Sequence, residues 1–518
     1  MTNTLPDTLT CDVLVVGGGI NGSGIARDAA GRGLSVVLCE KDDLASHTSS
    51  ASSKLIHGGL RYLEYYEFSL VRKALIEREV LMRSAPHIIS PLRFIMPHMQ
   101  GLRPAWMLRV GLFMYDMLAR RELLPGSRGV NLRRHVAGDS LKTEFKHGFM
   151  YSDGWVDDAR LVVLNAMDAA EKGATILTRT HCESVQQKDG KWHAQLQVQL
   201  HPNLPSNTQK LIEVKARCLV NATGSWAAQF QQLSVPHKAG KTLRLIKGSH
   251  IVVKRLFDHQ YAYIFQHPDG RIVFAIPYEK EFTLIGTTDI DYRGDINHVT
   301  IEATEIDYLC ELSSLYFKQA IRPADVVWSY SGVRPLVDDG ETDAKAITRD
   351  YRLELDESGA PLLTVFGGKI TTFRKLAEDA VDLIAPALSN QQSSWTASAC
   401  LPGGDIHGAL PSNRSVLEFA SFVSNLQKQY HWLPAYLVQR YAHAYGTRIH
   451  HLLKGCVTIS QLGEVIADSL YAIEVEYLMK YEWARTSADI LWRRSKLGLH
   501  LPAGSDKKLD DWISQNAV

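Results

Sequence analysis

The sequence predicts an α/β (α+β) protein in three parts, and three observations carry that prediction. Near the N-terminus a short apolar run closes on glycines and opens a helix of small residues. Short alternating strands interrupt the middle of the chain, over 241–325. Beyond Pro386 the composition shifts, through a linker-like stretch at 393–405, and from Arg414 the pattern is mostly helical. At 518 residues the chain has room for several domains, each with its own core.

The first observation is the most informative. Val13, Leu14, Val15 and Val16 form the apolar strand, and Gly17, Gly19 and Gly22 follow at G-x-G-x-x-G spacing. Gly17 permits a sharp turn, Gly19 lets a pyrophosphate approach the backbone, and Gly22 lets helix and strand pack closely. The N–H groups at the helix start, Ile20 and Asn21, then face the phosphates with the positive end of a helix dipole behind them. A second apolar run, 34–38, leads to Cys39, Glu40 and Lys41. Glu40 lies about 20 residues past the turn, where a carboxylate accepts from ribose hydroxyls. The unit reads as a Rossmann-like βαβ fold that binds an adenine dinucleotide.

Composition narrows the partners. A net charge of +1 argues against a general nucleic-acid binder. Seven cysteines, never spaced C-x-x-C, suggest neither a disulfide framework nor a zinc site, and no other metal constellation stands out. A reducing compartment is the simplest reading. Residues 1–10 lack the basic flank and apolar core of a secretory signal, and no apolar run reaches the roughly 18 residues that span a bilayer. Peripheral membrane contact stays open.

The next stretch, 42–53, is rich in hydroxyls: Ser46, Thr48, Ser49, Ser50, Ser52 and Ser53. Such residues suit a surface loop or a pocket wall that bonds a pyrophosphate or a flavin ring. The sequel Lys54, Leu55, Ile56, His57, Gly58, Gly59, Leu60, Arg61, Tyr62 favours the pocket, because it gathers cations, a histidine and paired glycines. Helical spacing follows over 67–85 and ends at Pro86. Residues 101–121 interleave Arg109, Arg120 and Arg121 with Trp106, Phe113 and Met114, which fits an interfacial helix or an ordinary core-facing one.

Trp155 to Arg160 reads as a helix start with Asp157 and Asp158 in its first turn, and 174–177 as the strand after that helix. Residues 186–214 suit an antiparallel hairpin with a loop near 201–207. The strand 217–221 then ends at Ala222, Thr223 and Gly224, which places that turn beside the cofactor. In the sheet-rich region the corners 247–250 and 286–289 carry polar groups, suited to a substrate site. Residues 326–334 and 362–374 resume the first pattern, each with a strand, a glycine turn (Gly332; Gly367, Gly368) and a cation (Arg334; Lys369). The absence of a second G-x-G-x-x-G argues for FAD without a separate nicotinamide-binding domain.

The chain resembles the FAD-dependent glycerol-3-phosphate dehydrogenases. Gly17-Gly18-Gly19-Ile20-Asn21-Gly22-Ser23-Gly24-Ile25-Ala26-Arg27-Asp28, continued by Arg32 and Gly33, matches one family signature, and Gly367-Gly368-Lys369 with Arg374 and Ala377 matches most of another. The similarity runs on through 49–62, 155–160, 247–253, 286–289, 329–335, 482–485 and 491–494. Two positions depart: Phe373 replaces a tyrosine, which would alter a hydrogen bond near the flavin, and Ser225 stands where proline is common.

The resemblance implies a D-amino-acid-oxidase-like architecture. FAD-binding segments 1–90, 151–240 and 326–390 surround a substrate domain, 241–325, and a helical domain occupies 391–518. Residues 91–150 form a basic helical segment suited to membrane contact. The resemblance implies oxidation of sn-glycerol 3-phosphate to dihydroxyacetone phosphate, with electrons passed to quinone. A homodimer attached peripherally to the cytoplasmic membrane face goes with it. An oxygen-using glycerol-3-phosphate or amino-acid oxidase, or a flavin sensor without turnover, is the alternative. For the base that takes the C2 hydroxyl proton the sequence offers His57 first and His250 second. Arg61, Arg334 and Arg349 are candidate phosphate ligands, with Tyr62 and Thr287 as hydroxyl partners. Lys369 suits the anionic end of the flavin, with Gly368, Ile370 and Thr371 beside it.

Overall fold

The computed structural model describes residues 6–99, 104–199, 209–235, 243–267, 270–286, 288–337 and 350–516. Strand β1 (Thr8–Val16) sits inside an eight-stranded sheet, with β2 (Val36–Cys39) parallel to it on one side and the strand Gln209–Asn221 parallel on the other. Val13, Leu14 and Val15 are wholly buried, as a parallel strand covered on both faces requires. Leu362–Phe366 extends the parallel set beyond Gln209–Asn221, and Thr175–Leu177 extends it beyond β2. Lys191–Gln199 pairs antiparallel with Gln209–Asn221, as the sequence predicts; the loop 201–207 lies outside the described residues.

Helices α1 (Ile20–Gly31), α2 (Phe68–Ser84), α3 (Ala105–Met117) and α4 (Asp158–Glu171) frame the site. α1 packs against α4 and against the helix Phe373–Ile384. Asp157 caps α4 by accepting from the Arg160 N–H. Arg374 anchors the closing helix through buried bonds to both carboxylate oxygens of Glu77 at 2.6 and 2.7 Å.

The second sheet has ten strands, and it departs from the predicted boundaries. Ile89–Pro97 and His147–Val156 pair antiparallel inside it, so 91–150 is not mainly helical; α3 is its one α-helix among the described residues. Val326–Val337 pairs with Leu243–Lys254, so it belongs here and not with the nucleotide sheet. Gly332 and residues 247–250 accordingly lie within strands and not at turns. Gly332 sits where Ala51 crosses, and a Cβ there would lie 2.8 Å from the Ala51 Cβ. Alternation sorts the two faces: Ile251, Val253, Tyr263 and Phe265 pack on Leu309, Leu312 and Tyr316, whereas Val252, Ile264, Ile276 and Leu284 face Phe94 and Tyr278.

Residues from 413 onward are mainly helical around their own core, which includes Leu437, Tyr441, Val475 and Leu478. A two-stranded ribbon, Val465–Ala467 with Leu470–Tyr471, and a π-helical stretch, Asp489–Arg494, interrupt the helices. Buried ion pairs, Arg160 with Glu482 and Arg494 with Asp43, tie this domain to the nucleotide-binding one.

His87 is buried just past α2, with no hydrogen-bond partner on either ring nitrogen. Burial, helped by the Arg160 charge, pushes its pKa down from 6.5 to about 3. An unfolded chain takes up that proton near 6.5 while the folded chain refuses it, so stability falls as pH falls through this window. Thermal unfolding followed by circular dichroism between about pH 7 and 5 therefore shows a falling midpoint. His87→Met lessens the slope by about one proton per molecule, and an unchanged slope would assign the loss to other groups.

Candidate active site

Two cavities meet at the carboxyl ends of β1 and β2. The larger, of about 560 Å³, is lined by Gly17, Gly19, Ile20, Asn21, Glu40, Lys41 and Ala222 to Ser225, and further along by Thr48, Ser49 and Gly368. The smaller, of about 260 Å³, shares Ile20, Thr48, Ser49, Pro335 and Gly368 with it and continues to His57, Arg61, Tyr62, His250, Arg334 and Lys369.

The larger cavity is a backbone cradle. Gly17 has φ +114°, and a Cβ on it would lie 2.5 Å from the Ala222 carbonyl oxygen. A Cβ on Gly22 would lie 1.9 Å from the Gly17 oxygen, so Gly22 serves the packing of α1 and does not itself line the cavity. α1 has a glycine, Gly19, at its N-cap and no acidic residue in its first turn, so no charge of its own opposes an anion there. The Ser49 hydroxyl accepts from Ile20 N–H at 3.0 Å. Glu40 accepts from Gly18 N–H at 2.6 Å and from Asp42 N–H at 2.9 Å, and burial nonetheless raises its pKa. A dinucleotide pyrophosphate fits this arrangement of close backbone, small hydroxyls and helix dipole. The sequence reading named Lys41 but missed Trp226 and His47 on the far wall, where Lys41 Nζ lies 3.9 Å from the Trp226 ring centre and His47 meets the same ring edge-on. Its signal was an aromatic two residues after the Ala-Thr-Gly turn.

The smaller cavity gathers the charge. Arg334 pairs with Asp289 and donates to the Thr288 carbonyl at 3.2 Å, and Arg61 reaches the same carboxylate at 3.6 Å. Lys369 Nζ lies 3.6 Å from the Tyr62 ring centre. His57 N–H donates to the Thr371 hydroxyl at 3.2 Å, and Ile370 lies beside it on the wall. His250 Nε2 bonds Ser53 Oγ at 2.9 Å while its ring stacks on Tyr330. Burial, with Lys54 and Arg334 next, holds the His250 pKa down at about 3, so the ring is neutral near pH 7.

Several predicted ligands point elsewhere. Lys54, at φ 56°, turns into the interior and pairs with Asp158 at 2.8 Å. Leu55 and Ile56 pair on the second sheet and send their side chains into two different hydrophobic cores. Gly58 packs against Leu75 and Tyr115, whose hydroxyl accepts its N–H at 2.8 Å. Ser50 lines a separate cavity of about 220 Å³, whereas the Ser52 hydroxyl reaches the smaller cavity's wall and bonds Asp158 at 2.7 Å. Phe373 lies in the core against Gly24 and lines neither cavity. Gly59, Gly224 and Gly332 do line cavities. Thr287 and Arg349 lie outside the described residues.

The FAD dependent oxidoreductase family matches residues 12–374, so fold and cradle together define a flavin-dependent oxidoreductase. The family described as the C-terminal domain of alpha-glycerophosphate oxidase matches residues 394–511. The chain is 51% identical over 514 residues to a glycerol-3-phosphate dehydrogenase of Pseudomonas aeruginosa, covering 99% of this chain and 96% of that one. It is 48% identical over 505 residues to the D-erythritol 1-phosphate dehydrogenase of Brucella abortus, covering 97% and 98%. The fold matches that of the glycerol-3-phosphate dehydrogenase from Bacillus halodurans complexed with FAD, with a TM-score of 0.77 at 28% identity over 98% of this chain and 90% of that one. The chain belongs to the FAD-dependent glycerol-3-phosphate dehydrogenase family, and FAD is its cofactor.

Proposed function

We propose that the protein oxidises sn-glycerol 3-phosphate to dihydroxyacetone phosphate and delivers the electrons to a membrane quinone. The observation that carries this is the convergence of Arg61 and Arg334 on one carboxylate, Asp289, in the cavity that adjoins the cofactor cradle. Two guanidinium groups there suit a phosphate dianion, which accepts from both. When bound, FAD supplies a two-electron acceptor for the C2 hydride. His57 takes the hydroxyl proton, because His250, buried and held near a pKa of 3, is too weak a base at neutral pH. His250 instead orients Ser53 on the wall, and Lys369 places a positive charge in the smaller cavity, over the Tyr62 ring.

The quinone reading draws support from α3. Trp106, Val110, Phe113 and Met117 form one stripe along it, and Trp106 and Met117 are 68% and 67% exposed. Such a stripe, followed by the exposed Arg120, suits the interface of an anionic bilayer. No helix among the described residues is long and apolar enough to cross a membrane, which leaves peripheral attachment as the mode we propose.

Anaerobic mixing with sn-glycerol 3-phosphate tests the reaction. Rapid bleaching of the flavin absorbance, reversed by a soluble quinone, is the expected result. Bleaching by erythritol 1-phosphate alone would move the substrate to the larger polyol phosphate, and peroxide without quinone reduction would make the protein an oxidase.

Arg334→Met leaves FAD bound and raises KM for glycerol 3-phosphate by on the order of 100-fold, since one charged contact to the dianion is lost. An unchanged KM in steady-state assays would remove Arg334 from phosphate binding. Replacing Trp106, Phe113 and Met117 together by serine lowers flotation with anionic vesicles while turnover with a soluble quinone persists. Equal flotation of variant and parent would place the membrane contact on another surface.

A further inference from the structure

Among the described residues that line the FAD cavity none lies beyond Gly368, yet the C-terminal domain grips the segment that forms one of its walls. Glu40 and Lys41 line the cavity at one end of this segment, and Ala45 to Ser49 line it at the other. Asp43 and Leu44, between them, turn away. Leu44 is wholly buried against Gly18, and Ala45, at φ 60°, donates its N–H to the Gly18 carbonyl at 3.2 Å. Ser46 closes the turn by donating its hydroxyl to the Asp43 carbonyl at 2.7 Å.

The Asp43 carboxylate, 1% exposed, accepts from Arg493 Nε at 2.6 Å and from Arg494 Nη1 and Nη2 at 2.5 and 2.8 Å. Arg494 is itself fully buried and is held from behind by the Glu482 carbonyl. A second tie runs through Asp489, which pairs with Arg493 and, at 2.6 Å, with Arg179. Arg179 N–H in turn donates to the Asp42 carbonyl at 2.8 Å. Both grips close on the short stretch whose ends carry the Glu40 carboxylate and the Ser49 hydroxyl.

We propose that Arg493, Arg494 and Asp489 are positioning residues for FAD, through which the C-terminal domain sets the cofactor's residence time. The proposal rests on FAD occupying the larger cavity and is independent of which substrate is oxidised. Buried ion clusters add little net stability over apolar packing, because desolvation offsets the attraction; what this one supplies is register. Asp43 held at one point fixes where Glu40 meets Gly18 N–H and where Ser49 meets Ile20 N–H.

The test follows FAD release from the full-length holoprotein, as recovery of free-flavin fluorescence after dilution, beside the far-UV melting midpoint in saturating FAD. Arg493→Met is expected to speed release about tenfold or more with little change in that midpoint, and Arg493→Lys to recover part of the loss; Asp43→Asn is expected to speed release at least as much while lowering the midpoint, since it leaves the buried Arg494 charge unpaired. Arg448→Met is the control: it breaks the pair with Glu171 at 2.5 Å, another tie between the same domains that is remote from the segment. Release at the parental rate in Arg493→Met and Asp43→Asn would overturn the proposal. Equal acceleration in Arg448→Met, or acceleration in Arg493→Met that merely tracks a lowered midpoint, would do the same. Should Asp43→Asn fail to fold, Arg493→Met, at the cluster's partly exposed rim, decides the matter.

Discussion

A contact between backbones governs this molecule. β1 turns into α1 so tightly that no side chain fits between Gly17, Gly22 and Ala222, and this close approach brings the N-terminus of α1 to the edge of the cofactor cavity. The parallel neighbours of β1 bring Ala222 to Ser225 to the same edge, and the chain returns a third time at Gly367 and Gly368. Asn21 secures that return by donating to the Gly367 carbonyl at 3.1 Å. Segments hundreds of residues apart thus meet on one small cradle.

The second sheet is joined to the first through the hydroxyl-rich stretch 46–53. Thr48 donates to the Val333 carbonyl at 2.7 Å, and Ser53 bonds His250, so residues that border the cofactor also brace the substrate strands. This double duty explains the concentration of small polar side chains there. Thr48, Ser49, Ser52 and Ser53 each bond a partner from another segment across a narrow seam, and larger residues would hold the sheets apart.

Features written in local pattern were legible in the sequence. The glycine spacing, the Glu40 distance, the start of α4 and the short strands 249–286 each follow from a periodicity or a turn within about 20 residues. Sheet membership was not legible. Val326–Val337 reads like a returning nucleotide-sheet strand because both end in glycine and a cation, and only the long antiparallel pairing with Leu243–Lys254 assigns it. The same limit applies to Lys54, Leu55 and Ile56. They sit among ligand-bearing residues in sequence, but a strand sends neighbours to opposite faces, and a buried Asp158 about a hundred residues away claims the Lys54 ammonium. The tie between Asp43 and Arg494 joins residues too distant for any spacing rule.

Asp289 stands between the two guanidinium groups as an internal stand-in for an anion. A visiting ligand must outbid a carboxylate of single charge, and a doubly ionised phosphate ester does so where its singly protonated form scarcely can. If Arg61 and Arg334 hold the substrate phosphate as proposed, recognition is keyed to the second ionisation of the ligand, near pH 6 for a phosphate monoester. Acidification would then weaken capture by altering the molecule in solution, with the clamp itself unchanged.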